Sequence, residues 1–221
     1  MGYVVYCSGS GGGVTEAEGQ RRVGLAIKEY ILQRVEKDGL AVEYISARFM
    51  KVRLYLKEIS NGISFVIAYT PTDSHKSIRS KDLFSTALGS TGPQVPKGGH
   101  LPIMMDASAR SGRRREGCVD DTVLGAYRRD MLSANGRRLQ AFSAEKQLAL
   151  VNTFSVHPRW NFIHIQSSIT GKDRYLLDYI LTLQTDRRLV QTVTVRRPPV
   201  AKPESDNNLV AAHPVACMFC P

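Results

Sequence analysis

Leu101-Pro-Ile-Met-Met-Asp-Ala-Ser-Ala-Arg110 is a short apolar run that stops at a carboxylate, Asp106, with Ser108 two residues on and Arg110 two beyond that. An apolar run of strand length has to be buried, so the residue ending it stands at the rim of a sheet, where binding and catalytic groups are commonly placed. A carboxylate there has two readings: a cap on the turn after the strand, or an acid that holds a metal ion. The rest of the chain bears on that choice.

The chain has 221 residues, 43% of them hydrophobic and 8% aromatic, which is enough apolar material for one large domain with a core of its own. No apolar run approaches the roughly 20 residues that span a bilayer, and the first residues lack the charged-then-apolar order of a signal peptide. The expectation is a nuclear or cytoplasmic protein that does not associate with membranes, monomeric by default. Thirty Lys and Arg against twenty Asp and Glu leave a formal charge of +10. Many arginines are adjacent: Arg113 to Arg115, Arg128/Arg129, Arg137/Arg138, Arg187/Arg188 and Arg196/Arg197. That distribution fits a polyanionic partner, nucleic acid above all, or a merely soluble basic surface. Four cysteines are too few and too scattered for a disulfide framework. Cys217 and Cys220 form a C-x-x-C with no second pair to complete a zinc site, and residues 213–221 read as a tail.

Ser8-Gly-Ser-Gly-Gly-Gly13 lacks the strand-then-helix setting of a phosphate-binding glycine loop, so residues 1–21 read as a flexible Gly/Ser-rich lead-in to a domain over 22–212. Val23 to Leu32 predicts a strand, followed by a turn at Asp38-Gly39. Met50, Val52, Leu54 and Leu56 then alternate with Lys51, Arg53, Tyr55 and Lys57, the pattern of a half-buried antiparallel strand. Asn61-Gly62 offers the residues of a tight hairpin turn, and Ile63, Phe65, Ile67 and Tyr69 resume the alternation. With Val66 and Ala68 also apolar, the returning strand is expected to be covered on both faces. Tyr69, before Pro71, is either core or a second rim residue.

Residues 77–88 predict a helix burying Leu83, Phe84, Ala87 and Leu88 and stopped by Gly89. A basic loop, Arg110 to Arg115, suits a phosphate backbone. A second helix begins at Asn135 with Leu139 and Phe142 inward, and Leu148 to Phe154 reads as a strand. Leu176 to Leu181 is another apolar strand with Asp178 set inside it, a placement that is costly unless the carboxylate is partnered. After a strand over Leu189 to Arg196 comes a third acid, Asp206, just before an apolar run. Three acids at strand ends or in strands, on a basic chain, suggest a hard divalent cation, Mg²⁺, gripping a phosphate.

These stretches occur in one order: Tyr69-Thr-Pro-Thr-Asp73, Met105-Asp-Ala-Ser-Ala-Arg110, Leu150-Val-Asn-Thr-Phe154, Leu177-Asp-Tyr-Ile-Leu181 and Glu204-Ser-Asp-Asn207. Over about residues 22 to 209 the chain therefore resembles the deoxyribonuclease I-like endonuclease/exonuclease/phosphatase superfamily. Within it, the chain is most similar to the craniofacial development protein 2-like and retrotransposon-endonuclease branch. The resemblance implies an α/β fold, a four-layer sandwich of two packed mixed β-sheets flanked by helices, and Mg²⁺-dependent cleavage of phosphodiesters, typically in DNA. It also implies roles: Tyr69 on the scissile phosphate, Asp106 orienting the attacking water, Asp206 near the metal, and Asp178 holding a histidine in its working tautomer. Arg110, Arg113, Arg114 and Arg115 are the expected nucleic-acid contacts.

The chain also departs from that pattern. Ser108 stands where the family has the asparagine of Asp-x-Asn, and a hydroxyl lacks the amide's paired donor and acceptor. Asn207 stands where the family has histidine, and it cannot exchange a proton near neutral pH; losing such a group costs roughly 10²–10⁴ in rate. His213 lies six residues on, about 20 Å along an extended strand. The family's opening strand with its asparagine, and the next with its metal-binding glutamate, are not matched, and neither Glu16 nor Glu18 follows a strand-like run. The expectation is thus an impaired Mg²⁺-dependent nuclease lacking the first strands. The alternatives are a non-catalytic nucleic-acid-binding relative, or a partial product of a retroelement-derived nuclease.

Overall fold

The computed structural model describes residues 2–8, 23–71, 78–91, 94–112, 120–126, 131–154, 177–196 and 209–214. Asp206, Asn207 and Arg113 to Arg115 lie outside them. The chain falls into two compact units, Met1–Met105 and Asp106–Cys220. No helix among the described residues is long and apolar enough to cross a membrane.

The first unit holds β1 (Tyr3–Cys7), β2 (Gly24–Lys28), a helical turn (Glu29–Leu32), β3 (Val35–Ser46), β4 (Phe49–Leu56), β5 (Ile59–Tyr69), α1 (Ile78–Thr91) and β6 (Ile103–Asp106), whose last residue opens the second unit. Strands β3, β4, β5 and β6 lie side by side in that order. The first two pairs are antiparallel, whereas the approach to β6 runs parallel to β5, with Ser64 N donating to His100 O and Val66 N to Pro102 O. The period-two pattern of β4 sorts its side chains onto two faces, but the strand is not half-buried as expected: Lys51, on the second face, is 4% exposed. Met50, Val52 and Leu54 join Ile27 and Ile67 in a buried cluster, against which Tyr6 and Leu25 of the antiparallel β1–β2 pair are packed. Phe49 belongs to the opposite face and meets Phe84 of α1 edge-on, with ring centroids 6.4 Å apart. Val66 and Ala68 are buried, so β5 is covered on both faces.

Four local expectations change. Tyr3–Cys7, which composition assigns to a flexible lead-in, is a strand paired with β2; Glu16 and Glu18 lie outside the described residues. The strand over Val23 to Leu32 stops at Lys28 and gives way to the helical turn. The β4–β5 hairpin forms, but Leu56 pairs with Ile59, so the chain reverses at Lys57-Glu58. Asn61-Gly62 instead forms the irregularity between the pairs Leu56–Ile59 and Leu54–Ile63. Gly62 has φ +70°, and a Cβ there would stand 2.9 Å from the Leu54 carbonyl oxygen, so the glycine serves a bulge. Finally, α1 runs through Gly89 to Thr91, and Leu83 is 63% exposed while Leu88 is buried.

The second unit holds α2 (Ala134–Glu145), β7 (Leu148–Leu150), a 3-10 turn (Val151–Thr153), β8 (Asp178–Leu183), a 3-10 stretch (Gln184–Leu189), β9 (Val190–Arg196) and β10 (Leu209–Pro214). Strands β7 and β8 pair antiparallel, as do β9 and β10, where His213 and Pro214, expected as the start of a tail, pair with Thr192 and Val190. Helix α2 starts one residue before Asn135 because Ser133 caps it, its hydroxyl accepting from Gly136 N at 3.0 Å. The strand expected over Leu148 to Phe154 ends at Leu150. There Thr153 Oγ1 donates to Leu150 O at 2.7 Å and accepts from Gly125 N at 2.8 Å, curling the chain into the 3-10 turn.

Candidate active-site rim

Strand β6 delivers Asp106 to a rim, and the strand's alternation continues beyond its last residue. Ile103, Met105, Ala107, Ala109 and Ser111 are buried, while Met104, Asp106, Ser108 and Arg110 are half-exposed. An acid, a hydroxyl and a guanidinium are thereby each left half-exposed in succession along one short segment. Ser108 takes φ +42°, in the left-handed region where short polar residues are tolerated because they bond locally. Its backbone N and its Oγ both donate to Asp106 Oδ1, at 2.8 and 3.2 Å. Asp106 and Ser108 are thus one hydrogen-bonded unit, and the turn-capping reading of this carboxylate is part of the geometry.

The segment behind that rim is held by buried side chains from two elements. Tyr179 of β8 donates its hydroxyl to Ala109 O at 3.2 Å and accepts from Ser111 N at 3.1 Å. From α2, Asn135 Nδ2 donates to Ser108 O at 3.2 Å and Gln140 Nε2 to Ser111 O at 2.6 Å. The capping Ser133 accepts from Arg110 N at 3.1 Å through its hydroxyl, and its own N donates to Arg110 O at 3.1 Å. Gly136 lies so close to Arg110 that a Cβ would fall onto the Arg110 carbonyl oxygen. A loop that would otherwise bury unpaired backbone groups is satisfied donor by donor, which fixes where Asp106, Ser108 and Arg110 stand.

Asp178 opens β8, at its half-buried first position, and is not set inside an apolar strand as the sequence suggested. Leu177 O accepts from Ala107 N at 2.9 Å, so the Leu177-Asp178 and Asp106-Ala107 pairs lie alongside each other. Asn152, almost wholly buried in the 3-10 turn, fastens this end of β8: its Oδ1 accepts from Ile180 N at 2.7 Å and its Nδ2 donates to Asp178 O at 3.2 Å. Nearby, the Arg187 guanidinium lies 4.7 Å from the Phe154 ring centroid. In the first unit Tyr69 ends β5 half-buried, with Arg48 5.1 Å from its ring centroid.

Of the residues singled out by sequence, Asp106, Ser108 and Arg110 form the rim, Asp178 flanks it, and Tyr69 ends a strand of the other unit. Asn207, Asp206 and Arg113 to Arg115 are outside the described residues. Sequence reasoning missed Tyr179, Ser133, Asn135, Gln140, Asn152 and Arg48. Tyr179 and Asn152 were in quoted motifs beside residues that drew the attention, whereas Ser133 was legible as a helix cap only once the helix start was known. For a divalent cation, the described residues offer no cluster of three His, Cys, Asp or Glu side chains. Mg²⁺ takes one or two carboxylates with waters and substrate phosphate, and Asp106 is a carboxylate of that hard kind; a closed protein cage is not present among the described residues.

No family model matches the chain, and no curated protein matches its sequence. Solved structures do match in fold. The endonuclease domain of TRAS1, a telomere-specific non-LTR retrotransposon, aligns over 96% of this chain and 80% of its own, with TM-score 0.56 and 18% identity. The 3′ phosphatase NExo from Neisseria, bound to a product DNA hairpin, aligns over 96% and 79%, with TM-score 0.57 and 13% identity. An endonuclease/exonuclease/phosphatase family protein from Leptotrichia buccalis aligns over 97% and 72%, with TM-score 0.55 and 13% identity. The chain is an α/β protein with the deoxyribonuclease I-like fold of these nucleases and phosphatases.

Proposed function

We propose that this chain is a member of the endonuclease/exonuclease/phosphatase superfamily that engages the phosphodiester backbone of nucleic acid, DNA in the first instance, and cleaves it weakly with Mg²⁺. The observation that carries the proposal is the clamped rim, where Asp106, Ser108 and Arg110 are presented together on a fold shared with enzymes that act on nucleic acid. In this reading Asp106, which accepts from the Ser108 hydroxyl, orients the attacking water, and Arg110 opposes the phosphate charge. Tyr69 donates its phenol to the same class of group. Mg²⁺, when bound near Asp106 and Asp206, would neutralise charge on the phosphate.

Cleavage is weak for two chemical reasons. The single O–H of Ser108 is already donated to Asp106 Oδ1, where an asparagine amide would carry two N–H donors and a separate carbonyl acceptor. Asn207 supplies no exchangeable proton, which takes away about 10²–10⁴ in rate. The test is incubation of supercoiled plasmid with excess protein and Mg²⁺. Slow nicking that EDTA and Asp106→Ala each abolish supports the reading. Intact plasmid, together with DNA binding that needs no divalent ion and weakens steeply with salt, favours the second reading of a non-catalytic binder, to which the substitutions at Ser108 and Asn207 point. Neither nicking nor salt-dependent binding removes both.

A further inference from the structure

Among the described residues of the second unit, the large apolar side chains left in solvent are two neighbours, Met131 at 77% exposure and Leu132 at 37%. Both stand at the clamped segment behind Asp106. Ser111 bridges Leu132 in antiparallel register, and the next residue, Ser133, is bonded to Arg110 through its N and its hydroxyl. Leu132 is seated against two glycines. A Cβ at Gly112, where φ is +70°, would stand 2.7 Å from Leu132 Cβ, and one at Gly136 would stand 3.1 Å from Leu132 Cδ1. The backbone under the pair is therefore fixed while its outer surface faces water. One exposed leucine on a surface is ordinary, but two consecutive apolar side chains held out on a pinned backbone beside a candidate site mark a contact surface.

We infer that Met131 and Leu132 form an apolar wedge that lies against the bases of a bound duplex and loosens the stacking of one base step next to the phosphate at the rim. This rests on the nucleic-acid reading above and adds to it a contact with the bases rather than with the charge. The surroundings name the occupant. In the register set by Ser111 and Leu132, Met131 lies two residues of extended chain beyond the level of Arg110, about 7 Å. Each strand of a duplex rises about 3.4 Å per nucleotide, so a backbone opposed by Arg110 has bases within about two steps of Met131. Arg137 is exposed near the start of α2, and in sequence Arg128-Arg129-Asp130 leads directly into Met131. A second copy of a chain carrying +10 would bring like charge to this surface. A duplex brings opposite charge outside and apolar base faces within. Methionine and leucine are among the side chains that enter opened base steps, and an unbranched methionine adapts to the gap it finds.

The experiment titrates the full chain, in EDTA so that the duplex stays intact, into DNA duplexes carrying 2-aminopurine at successive positions, a base whose fluorescence rises when it unstacks. The proteins are the wild type, Met131→Ala, Met131→Leu and Leu83→Ala, the last a control at a leucine of the first unit that is 63% exposed. Each is checked for a wild-type thermal transition and titrated across a salt series. Wild-type binding should raise the fluorescence at one step. Met131→Ala should lose that rise and bind about tenfold more weakly, the value of burying most of a methionine side chain. Its slope of log K against log salt should stay that of the wild type, because no phosphate contact is removed. Met131→Leu and Leu83→Ala should match the wild type. Wild-type binding without a rise at any position, or a folded Met131→Ala with wild-type affinity, overturns the inference and leaves the nucleic-acid reading standing. A shallower salt slope in Met131→Ala overturns it as well, and self-association in sedimentation that Met131→Ala abolishes overturns it in favour of a second copy. If the wild type binds no DNA at any salt, the nucleic-acid reading fails first, and this inference fails with it.

Discussion

Replacing Tyr179 with phenylalanine removes a single oxygen and leaves the ring's packing volume unchanged, so any loss of stability reports the hydroxyl alone. That hydroxyl bridges Ala109 O and Ser111 N, and all three residues are 1% exposed. Each hydrogen bond contributes about 0.5–1.5 kcal/mol net, and a buried amide deprived of its acceptor costs about 1–3 kcal/mol. The Ser111 N–H loses this acceptor in a place that water does not reach, so the sum is about 2–4 kcal/mol. In a chain of this size that corresponds to a fall in Tm of roughly 4–16 °C. Urea unfolding followed by circular dichroism should show the midpoint moving down with an unchanged m-value, since the surface exposed on unfolding stays the same. A loss below about 0.5 kcal/mol, the range of an ordinary surface change, refutes the view that this hydroxyl holds the segment behind Asp106.

The close approach of α2 to that segment makes Gly136→Ala destabilising by at least about 1–3 kcal/mol, because the new methyl meets the Arg110 carbonyl and one backbone must move; an unchanged melting temperature contradicts this. Asn152→Ala takes its acceptor from the buried Ile180 amide and one donor from the Asp178 carbonyl, for an expected loss of about 1–3 kcal/mol by urea titration. Asn152→Ser, which keeps an acceptor, should lose less. Lys51 predicts a pH effect. Burial, with Arg53 alongside, holds its ammonium pKa below the usual 10.5, while its Nζ donates to Gln94 O at 2.7 Å. Between the lowered value and 10.5 the unfolded chain binds more protons than the folded one, so this residue makes stability rise with pH in that alkaline window. In Lys51→Met that rise should vanish, and identical pH profiles for the two proteins would refute the assignment.

The β4–β5 hairpin was legible because β4 alternates in period two and an apolar strand of similar length follows it, and burying Met50, Val52 and Leu54 on one face sets the register over that stretch. Its turn was misplaced because Asn-Gly is a strong local signal for either a turn or a bulge, and the pairing of Leu56 with Ile59 decided between them. Strand β1 was masked by the glycines after it, although Tyr3 to Cys7 is rich in strand-forming residues. Leu83 was assigned inward by helical period, but the stripe that packs against Phe49 is centred on Phe84, leaving Leu83 in solvent. At the rim, Asp106 and Ser108 were visible as a motif. What holds them was not, because Tyr179 reaches Ala109 across 70 residues and Gln140 reaches Ser111 across 29, and such contacts leave no periodic trace.

The unbroken in-and-out rhythm from Ile103 to Ser111 also constrains how this gene segment can change length. Inserting or deleting one codon between Asp106 and Ser111 would draw the Ala109 and Ser111 backbone away from the Tyr179 hydroxyl and the Gln140 amide and leave buried polar groups unpaired. A two-codon change would keep the parity but move Ser111 away from both Tyr179 and Gln140. Homologous chains that retain this clamp should therefore carry the same number of residues from the aspartate to the buried serine, and should vary in length only beyond Gly112.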